Sequence, residues 1–235
     1  VRWSTGSGVW VTSKLYLTSG LERPGRLDTR RLGRRARLPH VSPKKPLSAH
    51  FLARVSPSYL LAVLPPPALA ARIAAFREGH ALRDAAATPH ITVKARSGLS
   101  PDLDWAATAR AAVAGHAPVQ VQVGGPAVFR NGTALYLSVH SADAVALHLA
   151  LLSALRPAQR FGYEGAHMTP HLSVALARRG TDLSALLDAA RVAFADLTAA
   201  PLAFTAHEVA LLRKSGPGGV YLPLEHWPLG ESGAT

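Results

Sequence analysis

The chain has 235 residues, 48% hydrophobic and 17% charged, with 26 Lys and Arg against 14 Asp and Glu for a net charge of +12. This composition is globular and excludes wholesale disorder, and the lack of cysteine excludes disulfides, thiolate nucleophiles and Cys-ligated metals. No apolar run reaches the ~18 residues of a membrane span, and the longest candidate is broken by Pro65, Pro66 and Pro67.

The charge is unevenly placed. Residues 1–57 hold twelve basic side chains against Glu22 and Asp28, a net +10, whereas residues 58–235 carry only +2. Pro24, Pro39, Pro43 and Pro46 interrupt any helix or strand in the first segment, which has no sustained hydrophobic period. Three readings follow: a basic arm making nonspecific contacts to nucleic acid by counterion release, an inert disordered extension, or an upstream extension of a GC-rich reading frame. The third notes that the chain opens on Val, that its only Met is Met168, and that Val55 precedes the first good strand. The absence of a signal-peptide pattern points to a cytoplasmic protein.

The domain expected over 58–235 begins with a buried strand at Tyr59 to Leu64, and the Ala-rich stretch from Ala68 to about Asp84 has helical spacing. A strand follows at His90 to Lys94, then a helix at Asp102 to Val113. Two β-rich runs, Val119 to Val123 and Ala134 to His140, flank Asn131-Gly132, a strong hairpin dipeptide. Further along, the pattern gives a helix at Ala142 to Leu155, a strand at His171 to Leu176 and a helix at Leu183 to Phe194. Strands at Phe204 to Leu212 and Val220 to Trp227, joined by a Gly-rich turn at 215–219, end the chain. Strands and helices mixed at short spacing, with hairpins, specify an α+β class.

Two segments nearly repeat: Thr88-Pro-His-Ile-Thr-Val93 and Thr169-Pro-His-Leu-Ser-Val174. On a strand, alternation puts His90 with Thr92, and His171 with Ser173, on one face, and turns Ile91, Val93, Leu172 and Val174 to the core. Two imidazoles can flank one phosphorus, one taking a proton from the nucleophile and the other giving one to the leaving oxygen. The two hydroxyls can donate to the non-bridging phosphate oxygens. This chemistry requires no metal and no cofactor.

With these motifs, Leu61-Ala-Val-Leu-Pro-Pro-Pro67 and the closing Val209-Ala-Leu-Leu-Arg-Lys-Ser215 and Tyr221-Leu-Pro-Leu-Glu-His-Trp-Pro-Leu229, the chain resembles the 2H phosphoesterase superfamily. Within it, the similarity is to bacterial 2′-5′ RNA ligases and RNA 2′,3′-cyclic phosphodiesterases. The resemblance covers about Tyr59 to Leu229 and none of residues 1–57. It implies a bilobal, pseudo-twofold α+β fold in which two antiparallel sheets face a cleft and helices lie outside. It implies hydrolysis of 2′,3′-cyclic phosphates on RNA ends or nucleotides to 2′-phosphates, and ATP-independent 2′-5′ joining in some members. By motif position His90 is the acid to the 3′-oxygen and His171 the base, roles exchanged in the reverse direction, while Thr92 and Ser173 grip the phosphate. Two departures stand out: Ser173 replaces the commoner Thr, and no Arg follows the second motif before Arg178.

Other candidates are secondary. Lys94 shares the Thr92 face and is expected either to support phosphate charge or to be a solvated strand-end residue. Phe129, Arg130 and Tyr221 are candidates for stacking on a base or touching the RNA backbone, with a core position the competing reading for Phe129. His167 and His171 have zinc-pair spacing, but Pro170 denies them a helix; His207-Glu208 lacks the second His of a metalloprotease motif. His80, His116, His140, His148 and His226 read as surface or satisfied core residues. A monomer is expected, with RNA ends or cyclic nucleotides as substrate. The alternatives are a non-catalytic RNA-binding protein using the basic arm and cleft, and a 2H enzyme for another cyclic or 2′-5′-linked nucleotide.

Overall fold

A computed structural model describes residues 56–230. The basic segment, Val55 included, lies outside the described residues except for Ser56 and Pro57. In chain order the elements are β1 (Ser58–Val63), α1 (Pro67–Gly79), a 3₁₀ turn (Ala85–Ala87), β2 (Ile91–Lys94), α2 (Ala106–Ala114), β3 (Val119–Val128), β4 (Ala134–His140), α3 (Ala142–Leu155), β5 (His171–Leu176), α4 (Leu183–Ala193), α5 (Ala195–Ala199), β6 (Leu202–Ala206), β7 (Glu208–Lys214) and β8 (Leu222–Pro228). Among the described residues no helix is long and apolar enough to cross a membrane.

Local chemistry sets these boundaries. Pro66 and Pro67 open α1, where their missing N–H groups cost nothing. That helix ends at Gly79, short of the expected Asp84, because Ala81 takes a left-handed conformation at φ 50°. Ser141 caps α3 by accepting the Ala144 N–H, and Asp182 caps α4 through the Ser184 and Ala185 amides. Helix α2 starts four residues after the expected Asp102, since Leu103 at φ 64° breaks the first turn. The Asn131-Gly132 turn forms as expected, with Gly132 at φ 65° and Asn131 Oδ1 accepting from the amide and hydroxyl of Thr133.

The strands are all antiparallel, in the order β6-β3-β4-β5-β2-β1-β7-β8. Strand β3 runs past the expected Val123 to Val128, because a bulge between Val123 and Pro126 absorbs Gly124 and Gly125. A Cβ on Gly124 would lie 2.6 Å from Ser138 Oγ, so the missing side chain leaves room for that hydroxyl.

The expected single strand Phe204 to Leu212 is two strands, β6 and β7, separated only by His207. They occupy the first and seventh places in the sheet. Six strand spacings in a flat sheet would span ~29 Å, whereas two virtual bonds across one residue reach ~7 Å. The sheet therefore curls into a half-barrel, and the chain at His207 passes from one half to the other. The two expected lobes are these halves, β6-β3-β4-β5 and β2-β1-β7-β8, joined through the single pair Ile91 and Leu172. Each half brings one strand-helix-strand unit to the junction, β1-α1-β2 or β4-α3-β5.

Alternation divides the sheet faces. Tyr59, Leu61, Val63, Ile91, Val93, Leu135, Leu137, Val139, Leu172, Val174, Val209 and Leu211 are buried in one core under the helices. The opposite, concave face carries a small apolar patch of Leu60, Ala62, Ala210 and Leu212 beside the polar side chains of β2, β4 and β5.

A buried ion pair fixes α1 against the motif strand β5. Arg77 Nη1 lies 3.0 Å from Asp84 Oδ1 and donates to the Val174 carbonyl, while Asp84 Oδ2 accepts the Leu176 amide. Replacing Arg77 with Ala strands the Asp84 carboxylate away from water. Urea unfolding of Arg77→Ala is expected to show a loss of about 3–5 kcal/mol; a loss under about 1 kcal/mol, the scale of a surface pair, would show that Asp84 does not depend on it.

Candidate active site

Both histidines are positioned by the same local device. His90 Nδ1 lies 2.7 Å from the Thr88 carbonyl and His171 Nδ1 2.9 Å from the Thr169 carbonyl. A carbonyl only accepts, so each Nδ1 carries the proton and each Nε2 is left to act as base when neutral or acid when protonated. The proline between Thr and His is thus part of a turn that aims a carbonyl at the ring two residues later. Thr88 is further tied down through its hydroxyl, which donates to the Tyr221 carbonyl at 2.5 Å.

The junction of the two half-sheets sets the relation between the motifs. Ile91 pairs with Leu172 in antiparallel sense, so the flanking residues oppose crosswise, His90 to Ser173 and Thr92 to His171. The two histidines lie on the diagonal, ~7–8 Å apart at the backbone. All four side chains share the concave face and are half-buried. Strand β4 extends this array, with Tyr136 opposite Ser173 and Ser138 opposite His171.

Burial pushes both imidazoles below their ordinary value of 6.5, against the opposing effect of the Thr88 and Thr169 carbonyls. At His90 the neighbouring charge of His171 lowers it further.

The cleft has a volume of about 480 Å³, within the usual range for a small-molecule site. Thr92 and His171 line it together with Leu60, Phe129, Tyr163 and Tyr221. A more open hollow around Ser100 and Asp104 lies away from the histidines, with Arg96 bordering both.

The secondary candidates divide. Phe129 is half-buried in the cleft wall, stacked on Tyr136 at 4.2 Å and edge-on to His171 at 4.9 Å. Tyr221 is edge-on to His90 at 6.2 Å, with its hydroxyl 3.2 Å from Ser58 Oγ. Arg130 is exposed at the hairpin turn and does not line the cleft. Arg178 donates to the Arg83 carbonyl in a separate hollow.

Lys94 is a correction. It is neither solvated nor in the cleft: its side chain is fully buried, and Nζ donates to Glu164 Oε1 at 2.8 Å and to Ser97 Oγ at 2.6 Å. The carbonyls of Ala95 and Ser97 accept from it as well. The loop between α3 and β5 supplies Glu164 and covers the face that alternation alone leaves open. Burial works against the Glu164 charge, but Lys94, Ser97 and the Phe161 amide outweigh it and hold the carboxyl below its ordinary value.

His148 pins the same loop, its Nδ1–H donating to the Val93 carbonyl and Nε2 accepting the Gly165 amide. Burial pushes its ring below the ordinary value too. Sequence reasoning missed Tyr136, Ser138 and Tyr163. The alternation of β4 marks the first two as facing away from Leu135, Leu137 and Val139, but nothing local says that β4 lies beside β5.

The description "2′-5′ RNA ligase superfamily" matches residues 65–218. Among solved structures, a phosphoesterase is similar at 19% identity and a TM-score of 0.52, covering 75% of this chain and 99% of its own. Escherichia coli LigT complexed with 3′-AMP is similar at 17% identity and a TM-score of 0.50, with the same coverage. No curated protein sequence matches the chain. The half-barrel fold, the two His-x-Thr/Ser strands meeting at its centre and the family match over most of the described residues lead to one assignment: the chain belongs to the 2′-5′ RNA ligase superfamily of 2H phosphoesterases.

Proposed function

We propose that the protein is a metal-independent phosphodiesterase that opens 2′,3′-cyclic phosphates, on RNA ends or nucleotides, to 2′-phosphates. The observation that carries this reading is the crosswise array of two imidazoles, each with Nδ1 held by a backbone carbonyl and Nε2 left for proton transfer, and two hydroxyls on the same face. Such an array supplies one base, one acid and two donors around a single phosphorus, which is what in-line displacement at a cyclic phosphate needs.

In the forward direction His171 Nε2 takes a proton from water as its oxygen attacks phosphorus. The P–O3′ bond breaks, and protonated His90 delivers its Nε2 proton to O3′. The product keeps the phosphate on O2′. Thr92 and Ser173 donate their hydroxyl protons to the non-bridging oxygens, whose charge grows as the fifth bond forms. A 5′-hydroxyl replacing water gives a 2′-5′ linkage by the same steps. That joining exchanges one phosphodiester for another, so it needs no nucleotide triphosphate, and it reverses with the acid and base roles exchanged.

Three outcomes test the mechanism by product analysis with phosphorus NMR in EDTA. His90→Ala and His171→Ala are each expected to lose about 10²–10⁴ in rate, and full activity in either would exclude the two-histidine mechanism. Thr92→Val and Ser173→Ala are each expected to lose on the order of 10²-fold in kcat, as donors to developing charge do. The pH dependence follows from the lowered imidazoles. Catalysis needs one ring neutral and one protonated, a state most populated between the two titrations, and both lie below 6.5 in the free protein. The kcat/KM profile is therefore expected to be bell-shaped with its centre below pH 6.5, and a centre above that value would contradict the assignment.

A further inference from the structure

The cleft continues at one rim into an aromatic surface that the two-histidine chemistry does not use. Tyr163 is 61% exposed, and among the described residues it is the large aromatic side chain most open to water. Its ring lies parallel to that of Phe161, with centroids 5.3 Å apart and an interplanar angle of 10°. The Arg96 guanidinium sits 5.6 Å from the Phe161 centroid, and Arg96 and Tyr163 both line the cleft with Thr92 and His171. Arg156 and Arg160, both exposed, begin the same loop.

This surface is rigidly built. The Glu164 carboxylate accepts the Phe161 amide and the Ser97 hydroxyl, and Lys94 binds it from beneath. The Glu164 amide returns to the Phe161 carbonyl at 2.9 Å, closing the turn that carries both rings. His148 holds the next residue, Gly165. Two fully buried charges are expensive to desolvate, and here they fix the loop that presents Tyr163. An exposed aromatic held in place, backed by a second ring and with the Arg96 guanidinium beside it, has the chemistry of a stacking platform for an unpaired nucleobase.

We propose that Tyr163, backed by Phe161 and Arg96, is a second nucleobase subsite, for the nucleotide on the 5′ side of the reacting one. The proposal rests on the function given above and adds to it a residue that binds substrate. The reacting 3′-terminal nucleotide occupies the histidine cleft. The base of the nucleotide on its 5′ side stacks on Tyr163, and its phosphate passes Arg96.

The test compares the full chain with Tyr163→Ala and Tyr163→Phe on two substrates, a 2′,3′-cyclic mononucleotide and an RNA pentamer ending in a 2′,3′-cyclic phosphate. The quantity read is the ratio of kcat/KM for pentamer over mononucleotide. Tyr163→Ala is expected to lower this ratio on the order of 10-fold, mainly through KM for the pentamer, and Tyr163→Phe to preserve it. An unchanged ratio in Tyr163→Ala, or an equal fall in Tyr163→Phe, overturns the subsite. If the unaltered protein turns over neither substrate, the proposed reaction fails, and fluorescence anisotropy with a 3′-phosphorylated RNA pentamer then decides the subsite alone. Weaker binding by Tyr163→Ala supports it, and equal binding overturns it.

Discussion

Two four-stranded half-sheets meet at one residue pair, Ile91 with Leu172, and the geometry of the cleft follows from that contact. Both side chains point into the common core, fully buried, so the register between the motif strands is held by packing as well as by hydrogen bonding. A slip of one residue would turn His90, Thr92, His171 and Ser173 into the apolar core and expose Ile91 and Leu172. The hydrophobic effect that fixes the fold thus also fixes the spacing of the two imidazoles. Few ladder bonds are needed at the junction because the helices above it tie both halves together: α3 packs on β2 and β3, and α1 contacts β5.

Polar interactions refine what this packing sets coarsely. Two buried ion pairs, Arg77 with Asp84 and Lys94 with Glu164, anchor segments that flank the motif strands. Such pairs contribute little net stability against apolar replacements, but losing one partner leaves the other charge buried and uncompensated. The imidazoles receive different treatment. Each has one nitrogen satisfied by the backbone and, among the described residues, no carboxylate bonded to it, so burial lowers its proton affinity with only the carbonyl opposing it. His148 is the contrasting case, bonded at both nitrogens and so fixed in one neutral tautomer as a structural strut.

Much of this was legible in the sequence, for identifiable reasons. Alternation within Thr88–Val93 and Thr169–Val174 gave the correct faces for all four motif side chains, because a strand period needs no tertiary knowledge. The helices expected from Ala142 and from Leu183 on their apolar pattern start at those residues. The surroundings of Lys94 are not legible for the opposite reason. The strand period gives its face, but what covers that face is a loop some 70 residues later, and Glu164 carries no local mark of the pairing. Strands β6 and β7 read as one extended run because their break is a change of partners rather than of backbone character.

The change of partners at His207 has a further consequence for how the molecule is made. The half-sheet β3-β4-β5-β6 is drawn from one contiguous stretch, Val119 to Ala206, whereas the other joins β1 and β2 near its beginning to β7 and β8 at its end. On an emerging chain the contiguous half can close its ladder first. Strand β1, meanwhile, lacks its β7 partner until Glu208–Lys214 has been synthesised. The half-sheet bearing His90 is therefore completed only after the other has all four of its strands.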